Sequence, residues 1–201
     1  KSLILILFLS LSSIGFSQTF SKDSIKSNIM SSFFIHLDSI GIKHPVYVPC
    51  VEQAATHQVN YNQRNKYIGH SQSLSGIGDT IIPDHRVHVF CDTNYEGNGE
   101  ICLKSVFSDT ADLIEHVGIV VLNQFLSSPP HKRCLESYHD YYGIGITIHI
   151  SKGGQVILYA TVVYAKNLEL YNPRFPRHYS INKDAEANYR KRYKDCTIIR
   201  N

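Results

Sequence analysis

The chain has 201 residues, of which 43% are hydrophobic and 18% charged, and its formal net charge is +3. This composition excludes a disordered, strongly charged chain and a collagen-like or low-complexity sequence. After the first 20 positions no apolar run is long enough to span a bilayer, so we expect a globular domain with its own core and not an integral membrane protein.

The first 17 residues have the pattern of a secretory signal peptide. Lys1 precedes an apolar run at 3–9, and Gly15-Phe16-Ser17 gives a small-x-small cleavage pattern. We therefore expect cleavage near Ser17 or Gln18 and a secreted, extracellular or cell-envelope location. An uncleaved anchor is the alternative, but the apolar stretch is short for a spanning helix.

Export would allow the cysteines to form disulfides. Cys91 and Cys102 flank a turn-rich segment, and a bridge between them would close a short loop. Free buried thiols are the alternative. The absence of a CxxC pair argues against a structural zinc ribbon. Because the number of cysteines is odd, at least one has no partner for a disulfide within the chain. The five cysteines are Cys50, Cys91, Cys102, Cys134 and Cys196.

Helical periodicity dominates the first part of the chain. Apolar residues at helical spacing predict a helix over 21–40, which Gly41 ends. A short extended link follows at 46–48, and a second helix is expected from about Pro49 to Asn62. We interpret 63–108 mostly as loop, with a short strand at 86–91, where Val87 and Val89 alternate with polar residues.

The second part predicts helices followed by a hairpin. A third helix is expected over 109–127, and Pro129-Pro130 separates it from a short helix at 131–137. Two β-rich runs, 143–150 and 155–165, are joined by a Gly-Gly turn and predict an antiparallel hairpin. Helices first and strands last favour an α+β fold over a parallel βαβ arrangement.

A change in charge marks the C-terminal segment. Residues 166–201 contain nine Lys or Arg against four Asp or Glu, whereas 1–165 contain eleven against thirteen. We therefore divide the chain into a domain at 21–165 and a basic extension at 166–201. The extension would contact an anionic polymer or be a solvated appendage. It lacks the aromatic-basic interleaving of a nucleic-acid module, so no nucleic acid is expected as partner.

One histidine and carboxylate set is a candidate for chemistry. The sequence has no HExxH, GxSxG, Walker A or dinucleotide motif. His70, Glu100 and His131 lie on expected loops or element ends, where polar side chains converge on clefts. Two imidazoles and a carboxylate can hold a divalent metal or move a proton.

The order of short motifs resembles the CAP superfamily, whose unit is the SCP domain. The resemblance covers about residues 25–165, and the bacterial form of the family has "AxxHA", a loop "H", "GEN", "WxxSPxHR" and "GIGV" strands in this order. The matching segments are Ala54-Ala55-Thr56-His57, Gly69-His70-Ser71, Gly99-Glu100-Ile101, Phe125-Leu126-Ser127-Ser128-Pro129-Pro130-His131-Lys132, Tyr142-Gly143-Ile144-Gly145-Ile146 and Tyr159-Ala160-Thr161.

The resemblance implies an α-β-α sandwich with a central antiparallel sheet and a cleft. His70, Glu100 and His131 would carry over to that cleft, and Ser128 stands at or next to the place of its second acidic residue. Some members bind zinc there, which would make His70 and His131 metal ligands. Three positions depart from the family pattern: Phe125 replaces the usual tryptophan, Ile101 replaces the asparagine of "GEN", and Ser128 leaves the set of two histidines and two acidic residues incomplete.

Other residues have structural interpretations. We expect His57 to be a residue of the second helix rather than a ligand, and Phe125 to be a core residue. Ser127 and Ser128 are expected to end one helix and cap the next, because no base lies nearby in sequence to activate a serine nucleophile.

Three functions remain open at this point. The first is a secreted binding or interaction module of unspecified activity, with a lipid, a sterol, a cell-wall fragment or another protein as partner. The second is a zinc-dependent hydrolase in which Glu100 is a ligand or general base beside His70 and His131. The third is a structural envelope protein attached through its basic extension.

Overall fold

The computed structural model describes residues 21–73, 80–91 and 95–167. The predicted signal peptide, Cys196 and nearly all of the basic extension lie outside the described residues. The helices are α1 (Lys22–Ser39), α2 (Pro49–Asn65), α3 (Pro83–Phe90), α4 (Thr110–Leu126) and α5 (Pro129–Leu135). The strands are β1 (Val46–Tyr47), β2 (Gln72–Ser73), β3 (Thr80–Ile81), β4 (Tyr95–Phe107), β5 (Tyr141–Ile150) and β6 (Val156–Asn167).

The first and third predicted helices are confirmed as α1 and α4. Ser21 caps α1 by accepting a hydrogen bond from the Ser24 amide, and Asp109 caps α4 by accepting one from the Asp112 amide. Both helices bury the apolar stripe that their sequence periodicity predicts. The buried residues of α1 are Ile25, Ile29, Met30, Phe33 and Leu37.

The main sheet has the strand order β1-β5-β6-β4. The long strands β4, β5 and β6 pair antiparallel, and β5 and β6 form the predicted hairpin. The expected antiparallel sheet is corrected in one respect: the two-residue strand β1 pairs parallel with β5, which makes the sheet mixed. A separate antiparallel pair joins β2 and β3.

Helices cover both faces of the sheet, so the α+β prediction and the three-layer order are confirmed. One face of β6, including Val162 and Tyr164, packs against α1, α4 and α5. The opposite face, including Val163 and Ala165, packs against α2 and α3. Strand β6 is therefore buried on both sides, in keeping with its nearly continuous apolar sequence.

Two glycines of β5 allow α2 to lie directly on the sheet. A Cβ atom at Gly143 would lie 2.1 Å from the Glu52 amide nitrogen, and one at Gly145 would lie 2.6 Å from the Thr56 Cα. No L side chain fits at that separation. The Gly-x-Gly spacing therefore sets the close approach of α2, the helix that leads into the candidate site.

The prediction for 63–108 is wrong in two places. Residues 83–90 form helix α3 rather than a strand, with Pro83 in its first turn and Val87 buried against α2. Residues 95–107 form the long strand β4 rather than a loop. Its Gly97-Asn98-Gly99 segment, which sequence alone suggested was a turn, is an irregularity within the strand where the register shifts between the two glycines.

The predicted Cys91–Cys102 bridge is also wrong. Cys91 forms a disulfide with Cys50, which joins the end of α3 to the start of α2. Cys102 is a free, buried thiol on β4, and Cys134 is free and half-buried on α5. The correction follows from α3, because a helix at 83–90 carries Cys91 to the helical layer on one face of the sheet.

Two further observations concern the end of the sheet and the helices. Strand β6 continues to Asn167, two residues beyond the domain boundary predicted at 165. Within the described residues, no helix combines the length and apolar character needed to cross a membrane.

Candidate functional site

The structure brings three of the four predicted site residues together from separate elements. His70 lies in a bend between α2 and β2, and His131 lies in the first turn of α5. Glu100 lies inside β4 and not on a loop, which corrects the sequence-based placement. The ring centroids of His70 and His131 are 6.0 Å apart, and His70 Nδ1 is 3.1 Å from Glu100 Oε1.

A buried polar network fixes the bend that carries His70. The Gln58 amide on α2 donates a hydrogen bond to the carbonyl oxygen of Gly69. On the other side of His70, the Gln72 amide nitrogen donates to Gln58 Oε1 at 2.8 Å and contacts His57 Nδ1 at 2.9 Å. The bend is therefore anchored on both sides of the histidine, by helix residues that sequence periodicity alone would assign to an ordinary polar face.

His57 belongs to this network and is a buried helix residue, in agreement with the sequence interpretation. Its Nδ1 faces the donor nitrogen of Gln72, so Nδ1 accepts and the ring is neutral. Burial, with a smaller contribution from the positive charge of Arg86, lowers the pKa of His57 to about 4.

Glu100 is held by a cation that sequence analysis did not identify. Arg86 on α3 forms an ion pair with Glu100 Oε2, and the side chains are 0% and 1% exposed. A second guanidinium nitrogen donates to the backbone oxygen of His70 at 3.1 Å. Arg86 thus ties together the helix, the strand and the bend, and it leaves Glu100 Oε1 directed toward His70.

His131 approaches from the other helical layer. Its ring packs edge-on against Phe125 of α4, with centroids 5.4 Å apart, and Phe125 is buried as predicted. Partial burial and, second, the charge of nearby His70 lower the pKa of His131, so its ring is neutral at neutral pH. Its hydrogen-bonding nitrogens then suit polar groups as well as cations.

Ser128 has a structural position. It is the N-cap residue of α5, and Ser127 is the C-cap residue of α4, as expected. The short helix begins at Pro129 and ends at Leu135 rather than spanning 131–137, because Pro129 and Pro130 occupy its first turn instead of separating the two helices. The Ser128 side chain makes no capping hydrogen bond within the described residues. It supplies no second carboxylate, so the acidic part of the site depends on Glu100.

One set of side chains within the described residues offers three metal-ligand atoms close together. His70, Glu100 and Cys102 each contribute one such atom, and the three lie within 4.8 Å of one another. His131 is not in this set, although the resemblance predicts it as a zinc ligand with His70. The donor types fit zinc, since nitrogen, carboxylate oxygen and sulfur are its usual ligands.

Sequence reasoning missed Arg86 and Cys102 for different reasons. Arg86 alternates with valines in a pattern that suggested a strand, and nothing local distinguishes a buried arginine from an exposed one. Cys102 is two residues after Glu100, and side chains with this spacing share one face of a strand. That signal becomes informative only once Glu100 is assigned to a strand.

Comparisons with known proteins give weak structural similarity. Neither a family model nor a curated protein matches the chain. An outer surface protein from Borrelia burgdorferi is 18% identical with a TM-score of 0.49, and the alignment covers 74% of this chain and 96% of that one. An extracellular protein containing an SCP domain from Bacillus anthracis str. Ames is 15% identical with a TM-score of 0.43, covering 75% and 45%.

Proposed function

We propose that this chain is an exported CAP-type module that binds a ligand in the cleft between His70 and His131. The observation that carries the proposal is the convergence of His70, Glu100 and His131 from a bend, a strand and a short helix. These are the positions at which the motif order resembles the family, and they are separated by 30 or more residues in sequence.

The chemistry of the cleft supports binding of a polar group. Arg86 neutralises Glu100 behind His70, so the carboxylate orients His70 rather than adding free charge. If His70 Nδ1 donates to Glu100, its other nitrogen is left to meet a ligand. With the neutral His131 ring opposite, the two imidazoles suit a hydroxyl, carbonyl or acidic group of a lipid, sterol, cell-wall fragment or protein.

Export is supported by the cysteine chemistry as well as by the N-terminal sequence pattern. The Cys50–Cys91 disulfide joins two helices of the domain, and such bonds persist in oxidising compartments. The small-x-small pattern ending at Ser17 predicts where the exported chain would be cut. Both features support a secreted or envelope location.

The experiment is native mass spectrometry of the protein gently extracted from its own host. We expect a bound small molecule in the wild type and its loss in His131→Ala, because the ring facing His70 is removed. His116→Ala is the matched control, since His116 is an exposed histidine on α4 that pairs with Asp112. A wild-type protein without a bound molecule, or equal binding in His131→Ala, would contradict the proposal.

A metal-dependent activity is the second candidate, and one observation favours it. The ligand atoms of His70, Glu100 and Cys102 converge within 4.8 Å among the described residues. The zinc-hydrolase hypothesis would then use Glu100 as a ligand rather than as a general base, because Oε2 is paired with Arg86 and Oε1 faces the other two donors, His70 and Cys102.

A further inference from the structure

Two distances within the set His70, Glu100 and Cys102 match those expected around a single metal ion. His70 Nδ1 lies 3.1 Å from Glu100 Oε1, and Cys102 Sγ lies 3.6 Å from the same oxygen. Zinc bonds of about 2.0 Å to nitrogen or oxygen and about 2.3 Å to sulfur give tetrahedral edges of about 3.3 and 3.5 Å. These two donor pairs are therefore already spaced like ligands, and all three ligand atoms lie within 4.8 Å of one another.

The surroundings hold these donors in place. Arg86 occupies Glu100 Oε2, so Oε1 is the oxygen left to face an ion. The Cys102 sulfur lies 3.4 Å from the Thr161 hydroxyl on the neighbouring strand β6. Such partners fix the orientation of metal ligands in proteins.

The three side chains of the set differ in their exposure to solvent. The His70 side chain is 46% exposed, whereas Glu100 is almost fully buried and Cys102 is buried. An ion would arrive from the His70 side and meet the carboxylate and the thiol beneath it. Three protein ligands would leave one coordination position open toward the cleft.

We propose that His70, Glu100 and Cys102 form a mixed nitrogen, oxygen and sulfur site for a thiophilic divalent cation such as Zn²⁺. The site shares His70 with the proposed ligand-binding cleft and so rests on the proposed function, but it assigns a ligand role to Cys102 and none to His131. The thiolate selects zinc or cobalt over magnesium and calcium, which prefer oxygen ligands. On binding, the thiol proton of Cys102 leaves to solvent and the sulfur bonds to the ion.

Cobalt titration of the chelator-treated, disulfide-intact protein tests the site. A Cys196→Ser background removes the cysteine of the basic extension. We expect saturation at one equivalent of Co²⁺, with a near-ultraviolet thiolate-to-cobalt charge-transfer band that Zn²⁺ abolishes. Cys102→Ser should lose the band and bind at least about tenfold more weakly. Cys134→Ser is the matched control and should keep both, because Cys134 is free but not in the set.

Three results would overturn the proposal: no charge-transfer band in the wild-type titration, a band that persists in Cys102→Ser, or a band lost in Cys134→Ser. Circular dichroism checks that each variant is folded. If Cys102→Ser does not fold, His70→Ala replaces it, since its half-exposed ring tolerates removal, and retained cobalt affinity there also overturns the site.

The titration separates this site from the proposed function. A flat cobalt titration with a bound organic ligand still seen by mass spectrometry removes the metal site and keeps the binding module. A thiolate-cobalt band in a protein whose bound ligand is unaffected by His131→Ala keeps the metal site and removes the proposed ligand-binding module.

Discussion

Arg86 and Glu100 form an ion pair that solvent does not reach, between the short helix α3 and the edge strand β4. Their side chains are 0% and 1% exposed. Glu100 in turn contacts His70, and Arg86 holds the backbone of His70. The candidate site is therefore built on a buried ion pair, which makes its geometry and the stability of the fold interdependent.

Replacement of Arg86 should strongly destabilise the fold. Arg86→Met leaves the Glu100 carboxylate buried without its cation, so we expect a loss of about 3–5 kcal/mol in the free energy of unfolding. The double variant Arg86→Met/Glu100→Gln should recover a large part, because no buried charge remains. Arg133→Met, on the exposed surface of α5, should change stability by less than about 0.5 kcal/mol. Urea unfolding measures all three, and an unchanged midpoint in Arg86→Met would contradict the pair.

Acid should destabilise the fold through His57. Its pKa is about 4 in the folded protein against 6.5 ordinarily, so as pH falls the unfolded chain takes up the proton first. The contribution of neutral His57 to the free energy of unfolding is complete above pH 6.5. Below that pH it decreases by about 1.4 kcal/mol per pH unit, and the total loss is about 3 kcal/mol by pH 4. The measurement is urea unfolding between pH 7.5 and about 4 for the wild type and His57→Gln.

The difference between the two curves isolates His57. Burial also lowers the pKa of His139, but that histidine is present in both proteins and its effect cancels. We expect the wild type to lose more stability than His57→Gln over this range. Parallel curves would show that His57 is not held neutral by burial.

The disulfide pairing is directly measurable. Peptide mapping without reductant should find Cys50 linked to Cys91. The bond closes a loop of 41 residues, so its reduction should cost about 4 kcal/mol by the chain-entropy relation. Unfolding measured with and without reductant tests the size of this loss in stability. A peptide linking Cys91 to Cys102 would refute the assigned pairing.

The close contact of α2 with the sheet predicts a position-specific effect of alanine. Gly143→Ala places a Cβ atom 2.1 Å from the Glu52 amide nitrogen, so α2 must move and we expect a loss of about 3 kcal/mol. Gly153→Ala is the control, because its Cβ would lie 3.9 Å from the Ser151 hydroxyl. Thermal unfolding compares the two, and equal midpoints would show that α2 does not pack against β5 at this glycine.

Sequence alone predicts the elements whose periodicity is local. Helices α1 and α4 have apolar stripes of several turns with a polar cap, and β5 and β6 are β-rich runs joined by a tight turn. In each case the residues that define the element are close in sequence. Propensity and burial then favour the same structure.

Helix α3 and strand β4 were mispredicted because tertiary contacts decide them. An eight-residue helix is only marginally stable alone, and the alternation at Val87 and Val89 also fits a strand. Packing of Val87 in the core and the bond from Cys91 to Cys50 select the helix. In β4, the glycines that suggested a turn form an irregular stretch paired with β6.

The composition of the candidate site was predictable only in part. Motif order identified His70, Glu100 and His131, which the fold brings together. Arg86 gave no local signal, since its role depends on α3 lying over Glu100. Cys102 depended on strand register, which the expected loop concealed.

The measurement that tests the central claim most directly is the proximity of the His70 and His131 rings in solution. With centroids 6.0 Å apart, their ring protons should give nuclear Overhauser cross-peaks. The His131–Phe125 pair, at 5.4 Å, is an internal reference in the same spectrum. Cross-peaks from both pairs are the predicted result. A His131–Phe125 peak without any His70–His131 peak would contradict a shared cleft.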